Sequence, residues 1–287
     1  MTTLDKTGPN AEQIKYWNET AAPKWVEYQA VLDTQLEELG RLTMERARLV
    51  PGERVLDVGC GCGATTRALA ARVGARGSAH GVDISAPMLA RAAELTRAAG
   101  VGNVRFTNAD AQTYAFEPGG ADVLFSRFGV MFFTDPPAAF TNLRRALRPG
   151  GRVAFVCWQP LPENPWLLVP LGAAAQHIPL PPPPAPGAPG PFAFGDRDRV
   201  RAILTQAGFG DAAFEDVRVT LGVGGGGLED AVRFLLEGVG PTTQALREAD
   251  PALRPRVYAA VREALAPYET PAGIRMPAAA WIVTTRA

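Results

Sequence analysis

Three aspartates close short apolar runs in the first half of the chain. Asp57 precedes the turn in VLDVGCGCGATT (55–66), Asp83 stands in GVDIS (81–85) and Asp110 in NADA (108–111). The first is followed at once by three glycines alternating with two cysteines. Glycine admits positive φ and lets a bound group approach the backbone, and a helix that starts after it offers free N–H groups. Phosphate is the usual occupant of such a turn. Gly59, Gly61 and Ala64 satisfy the dinucleotide pattern G-x-G-x-x-G/A, and Asp83 is an acid about 20 residues further on.

Asp57 shifts the balance away from a dinucleotide. A carboxylate gains little beside a pyrophosphate, but it suits a ligand bearing an ammonium and a sulfonium. Asp83 can accept both hydroxyls of a ribose, with Ile84 and Met88 packing an adenine. Asp110 can accept the exocyclic amine while the Ala111 N–H donates to a ring nitrogen. Together these describe S-adenosylmethionine better than NAD. Two of the acids also have a plainer reading, in which Asp57 caps the helix that follows and Asp110 only ends a strand; for Asp83 the cofactor role is favoured.

These residues need a frame that gathers them. ERVLDVG, GSAHGVDIS, NVRFTNADA, ADVLFSRFG and RVAFVCW read as strands, separated by the helical stretches TTRALAARVG, APMLARAAELTRAAG and PPAAFTNLRRALRPGG. Strict alternation argues for an α/β, doubly wound parallel sheet. Its ligands sit beyond the carboxyl ends of the strands. Asp57 to Gly63, Asp83, Asp110 and Ser126 to Phe128 are therefore expected on one rim. Residues 11–49 read as helical with a break near Pro23. FGDRDRVRAILTQAGF is a later helix, FEDVRVTLGV a strand, LEDAVRFLLEGVG and LRPRVYAAVREALAPYE two amphipathic helices, and AAAWIVTTRA a last strand. The proline-rich 179–191 should be extended surface chain.

Expected units are an N-terminal helical lid (1–45), a cofactor-binding core (46–160), a cap insertion with the proline-rich stretch (161–195), a core helix and strand (196–226), a helical cap insertion (227–276) and the final strand (277–287).

Lys+Arg 29 against Asp+Glu 29 leaves no net charge, so nothing builds the positive field of a nucleic-acid surface. The start of the chain is polar and no run of about 18 apolar residues occurs, so no membrane span is expected. Cys60, Cys62 and Cys157 form no disulfide framework, and a reduced, cytoplasmic chain is expected. C-x-C without a second pair, beside only two histidines, lacks zinc spacing, so no metal is expected; Cys60 reads as a small residue where backbone runs close to ligand. His80 reads as a satisfied core or rim residue. A homodimer is compatible with the N-terminal helix and the long inserts.

VLDVGCGCG, GVDIS, NAD, FSRFGVMFF and LRPGGRVAFVCW stand in the order and spacing of class I S-adenosylmethionine-dependent methyltransferases. The chain resembles their small-molecule branch, near the ubiquinone/menaquinone-type enzymes, over roughly residues 45 to 160. The resemblance implies a Rossmann-like seven-stranded sheet with the last strand antiparallel and helical cap insertions. It implies a cofactor pocket lined by Gly59, Gly61, Asp83, Asp110 and Ser126, Arg127 and Phe128. YWNETAAPKW resembles that branch's lid helix, which places Tyr16, Trp17 and Trp25 at the methionine end; the same aromatics would serve equally as core anchors. Arg127 is alternatively a surface charge or a contact to a substrate carboxylate. Phe132, Trp158 and Trp166 are candidate acceptor walls or core packing under the cap. His177 and Glu163 are the candidates for a general base. SRFG replaces the N-P-P-Y-like tetrapeptide of nucleic-acid and protein N-methyltransferases, which favours a free small acceptor, apolar or aromatic. The rivals are an NAD-dependent oxidoreductase on the same turn and a non-methylating binder of S-adenosylmethionine.

Overall fold

Leu4 and residues 7–287 are described by the computed structural model; residues 1–3, 5 and 6 of the expected N-terminal unit lie outside the described residues. The strands are β1 (Arg54–Val58), β2 (Ser78–Asp83), β3 (Val104–Asn108), β4 (Ala121–Arg127), β5 (Leu147–Trp158), β6 (Ala213–Val223), β7 (Glu269–Thr270) and β8 (Gly273–Arg286). They form one sheet in the order β3-β2-β1-β4-β5-β8-β6, with the two-residue β7 paired to β8. The β1–β5 neighbours pair in parallel, and β8 runs antiparallel to both β5 and β6.

Alternate residues of the central strands feed two cores, as a sheet covered on both faces requires. Val55, Val123, Phe125 and Ala154 pack with Leu69, Ala70 and Val73 of helix α4 and Met44 of α3. Leu56, Leu124, Val153 and Phe155 turn the other way, to Phe140 and Leu143 of α6 and Leu204 of α8. The helices are α1 (Ala11–Lys15), α2 (Ala22–Glu27), α3 (Gln29–Arg46), α4 (Ala64–Val73), α5 (Ala86–Ala98), α6 (Pro136–Ala146), α7 (Pro165–Ala175), α8 (Arg197–Gln206), α9 (Leu228–Arg233), α10 (Pro241–Glu248) and α11 (Arg254–Leu265). Several starts are written in the sequence. Asp135 and Asp196 accept N–H groups of the first turns of α6 and α8, and Ser85 accepts from Met88 at the start of α5. Such caps are each worth about 1 kcal/mol.

Three local expectations change. The helical stretch before β1 is broken twice. A π turn, Tyr16–Thr20, separates α1 from α2, and Tyr28 separates α2 from α3; Pro23 lies in the first turn of α2, where its missing N–H is harmless. Between the expected amphipathic helices the short α10 intervenes. The last strand begins at Gly273 rather than 277. Pro277 is opposite Thr220 of β6 where the β5 pairing, which ends at Ala280, has stopped, an edge-type position that tolerates proline. No helix among the described residues is long and apolar enough to cross a membrane.

Candidate active site

Asp57, Asp83 and Asp110 come together with the glycine turn at the carboxyl ends of β1, β2 and β3. Asp57 is fully buried. Its Oδ2 accepts hydroxyls from Thr65 (2.7 Å) and Thr66 (2.6 Å) in the first turn of α4, while its Oδ1 has no partner among the described residues. Burial pushes its pKa up to about 6, against the two threonine bonds and the nearby Arg127 guanidinium. A buried carboxylate with one open oxygen is a costly arrangement unless it meets a cation or donor.

The turn is held by its neighbours rather than by its own bonds. Gly59, Gly61 and Gly63 all have positive φ. A Cβ on Gly59 would lie 2.6 Å from the Gly129 Cα, so what approaches this glycine is the loop after β4. Gly61 N–H donates to Asp83 Oδ2 (2.8 Å) and Ser85 N–H to Asp83 Oδ1 (2.8 Å). Burial raises the pKa of Asp83, with the backbone N–H groups pulling it back. Asp110 Oδ1 accepts from the Asn10 amide (2.8 Å) and Gln112 N–H (2.9 Å).

The loop after β4 supplies the opposite wall. Phe128 has φ of 63°, a strained value for a non-glycine residue. Its ring stacks on Trp158 at 4.1 Å and 16°, and Trp158 meets Trp166 at 5.3 Å. Arg127 pairs with Asp33 of α3 at 3.2 Å. Ser126 is fully buried: its Oγ donates to the Val58 carbonyl (2.7 Å) and accepts from Gly129 N–H (3.1 Å), locking the carboxyl ends of β4 and β1 together.

The N-terminal segment lies across the β2 end. Asn18 donates to the Ile84 carbonyl (2.9 Å) and accepts from Ala86 N–H, and Ser85 Oγ donates to the Trp17 carbonyl (2.8 Å). Trp17 and Trp25 pack with Ala22, Cys62 and Met88, and Trp17 meets Phe132 edge-on at 5.0 Å. Ala111 is buried, its carbonyl accepting from Asn142. Cys60 and Cys62 are buried free thiols, their pKa values raised by desolvation.

Three expected residues lie at the surface. Glu163 is on the surface, paired with Arg218 at 2.8 Å, and His177 is exposed after the end of α7. Tyr16 is 43% exposed, its ring meeting Trp17 edge-on at 5.5 Å at the outer margin of the cluster that Trp17 and Trp25 form. His80 bonds Thr107 (2.8 Å), and desolvation lowers its pKa to about 4; it lines a concavity of about 580 Å³ with Arg54 and Arg105. That concavity reaches the amino ends of β1 and β2, the end where an open α/β sheet does not carry its chemistry. Sequence reasoning missed Asn10, Asn18, Asp33 and Gly129. Only Thr65 and Thr66, hydroxyls in the first turn after a strand-end acid, left a local signal.

Residues 55–151 match the family profile described as a methyltransferase domain. The chain is 35% identical over 117 residues to aklanonic acid methyltransferase DauC of Streptomyces sp., covering 41% of this chain and 53% of that protein. It is 35% identical over 159 residues to the ubiquinone/menaquinone biosynthesis C-methyltransferase UbiE of Ectopseudomonas mendocina, covering 55% and 62%. It thus spans about half the length of the curated relatives it matches. The YcgJ protein from Bacillus subtilis shares the fold, with a TM-score of 0.56 at 15% identity over 87% of this chain and 98% of that one. Residues 55–151, about a third of the chain, are thereby similar to a methyltransferase domain.

Proposed function

We propose that this chain transfers the methyl group of S-adenosylmethionine to a small organic acceptor. One observation carries the reading: the strand-end carboxylates of Asp57, Asp83 and Asp110 surround the glycine turn, and Asp57 keeps one buried oxygen open. The donor set fits the cofactor. Asp57 is the group to face its cationic end, Asp83 its ribose and Asp110 its adenine amine, with Ile84 and Met88 beside the base. Gly59, Cys60 and Gly61 contribute backbone. Trp25, with Trp17, covers the site from the N-terminal segment, and Arg127, held by Asp33, is a cation available to a carboxylate.

S-adenosylmethionine supplies an already activated methyl group, so the protein's task is to orient and to exclude water. Orientation alone contributes roughly 7–11 kcal/mol when the acceptor is held in line. Phe128, Trp158 and Trp166 offer an apolar aromatic wall at the β4 and β5 ends, and Phe132 continues it toward Trp17. That wall suits an apolar or aromatic acceptor. Both curated relatives are named for small molecules, which supports a small acceptor here.

The test is incubation with methyl-labelled S-adenosylmethionine and a panel of phenols, amines and polyketide acids. Label should appear in an organic product together with S-adenosylhomocysteine. Tight binding of S-adenosylmethionine with no label leaving it across the panel would overturn transfer.

A further inference from the structure

Asn10 occupies the position before the first turn of α1, where asparagine ordinarily caps its own helix. It makes no such bond, forgoing a contribution of about 1 kcal/mol. Its side chain, 3% exposed, is spent instead on two partners more than a hundred positions away or nearly so. Nδ2 donates to Asp110 Oδ1 at 2.8 Å, and Oδ1 accepts from Thr134 N–H at 2.9 Å. Both ends are therefore fixed, and Asn10 clasps the loop after β3 to the loop before α6.

Other amides complete the clasp. Gln112 accepts from Asp135 N–H (3.0 Å), and Asn142 donates to the carbonyls of Ala111 and Tyr114. Asp110 Oδ1 thus carries two donors, the Asn10 amide and Gln112 N–H. A carboxylate held in this way meets an incoming amine without first giving up rotational freedom, which is what preorganised recognition requires.

We infer that Asn10 is a positioning residue for the base of the nucleoside: by fixing the Asp110 carboxylate it makes binding selective for a purine with an exocyclic amine. The inference rests on the role assigned to Asp110 in the proposed function. It adds that the N-terminal segment, usually thought of as a cover, takes part in reading the base.

The test uses the full chain and two ligands, S-adenosylhomocysteine and its deaminated analogue S-inosylhomocysteine, in which a carbonyl oxygen replaces the amine. Calorimetry compares wild type with Asn10→Ala and with Asn10→Leu, which keeps much of the bulk and removes the donor to Asp110 without setting a second carboxylate beside it. Wild type should prefer S-adenosylhomocysteine by about tenfold or more, the size of a hydrogen bond to a charged group. Both variants should reduce that preference to within about threefold while binding the inosine analogue nearly as well as wild type does. A parallel loss of affinity for both ligands, or a preference that survives in the variants, would overturn the inference. Equal binding of the two ligands by wild type would instead overturn the role of Asp110 itself.

Discussion

At the scale of single residues, Asp57 carries the strongest conflict between stability and binding. Its folded-state pKa of about 6 lies above the ordinary 3.8. Between those values the folded protein holds more protons than the unfolded chain, so this group's contribution to stability falls as pH rises through the window. Above it the folded state is less stable by about 3 kcal/mol on this group's account. Asp57→Asn keeps an oxygen for Thr65 and Thr66 and removes the buried charge. Urea unfolding at pH 7.5 should show a gain of about 1–2 kcal/mol that disappears by pH 4, while affinity for S-adenosylhomocysteine drops about tenfold or more. Wild-type affinity should likewise weaken as pH falls below about 6, because protonation removes the charge that the proposed function sets against the ligand's ammonium.

At the scale of elements, the turn after β1 and the loop after β4 act as one unit. Gly129 has ordinary helical angles, φ −80° and ψ −35°, so its backbone would accept alanine. Space would not: a Cβ there meets the Val58 carbonyl oxygen at 2.6 Å and the Gly59 Cα at 2.7 Å. Gly129→Ala should cost about 1–3 kcal/mol in denaturant unfolding and weaken nucleoside binding. Gly172→Ala in α7, with nothing within 4 Å, serves as control and should gain up to about 1 kcal/mol. Gly129 looks in sequence like any glycine before an apolar run, and only the β1–β4 pairing reveals its neighbour. The strand-end acids were legible because alternating strands and helices dictate one rim. Asn10 and Asn18 were not, since their partners are 100 and 66 positions away and no periodicity links such a pair. Glu163 and His177 were named from residue type alone; their exposure and the Arg218 pair are decided by packing of the cap.

At the scale of the whole molecule, the carboxyl rim is where three insertions converge. The N-terminal helices, α7 after β5, and α9 to α11 between β6 and β8 all leave from it or lie across it. The sheet beneath was readable from its motifs; the cap was not, because α10 and the broken N-terminal helices owe their ends to tertiary contacts. Most contacts of the segment 10–28 to the rim are side-chain bonds and an aromatic cluster rather than strand pairing, so it should be the first part to open. Hydrogen exchange should therefore show residues 10–28 slowing most when S-adenosylhomocysteine is added. Slowing confined to the concavity beside His80 would place the ligand at the wrong end of the sheet.

The central claim, that the acids around the glycine turn hold the nucleoside, is tested most directly by calorimetric titration of S-adenosylhomocysteine into wild type and Asp83→Asn. This substitution keeps the side chain's size and one acceptor oxygen, and removes the charge together with one of the two bonds from Gly61 N–H and Ser85 N–H. Wild type should bind with one site, and the variant should bind about tenfold or more weakly while melting within a few degrees of wild type. A wild-type protein that gives no binding heat, or a variant that binds as tightly as wild type, would contradict it.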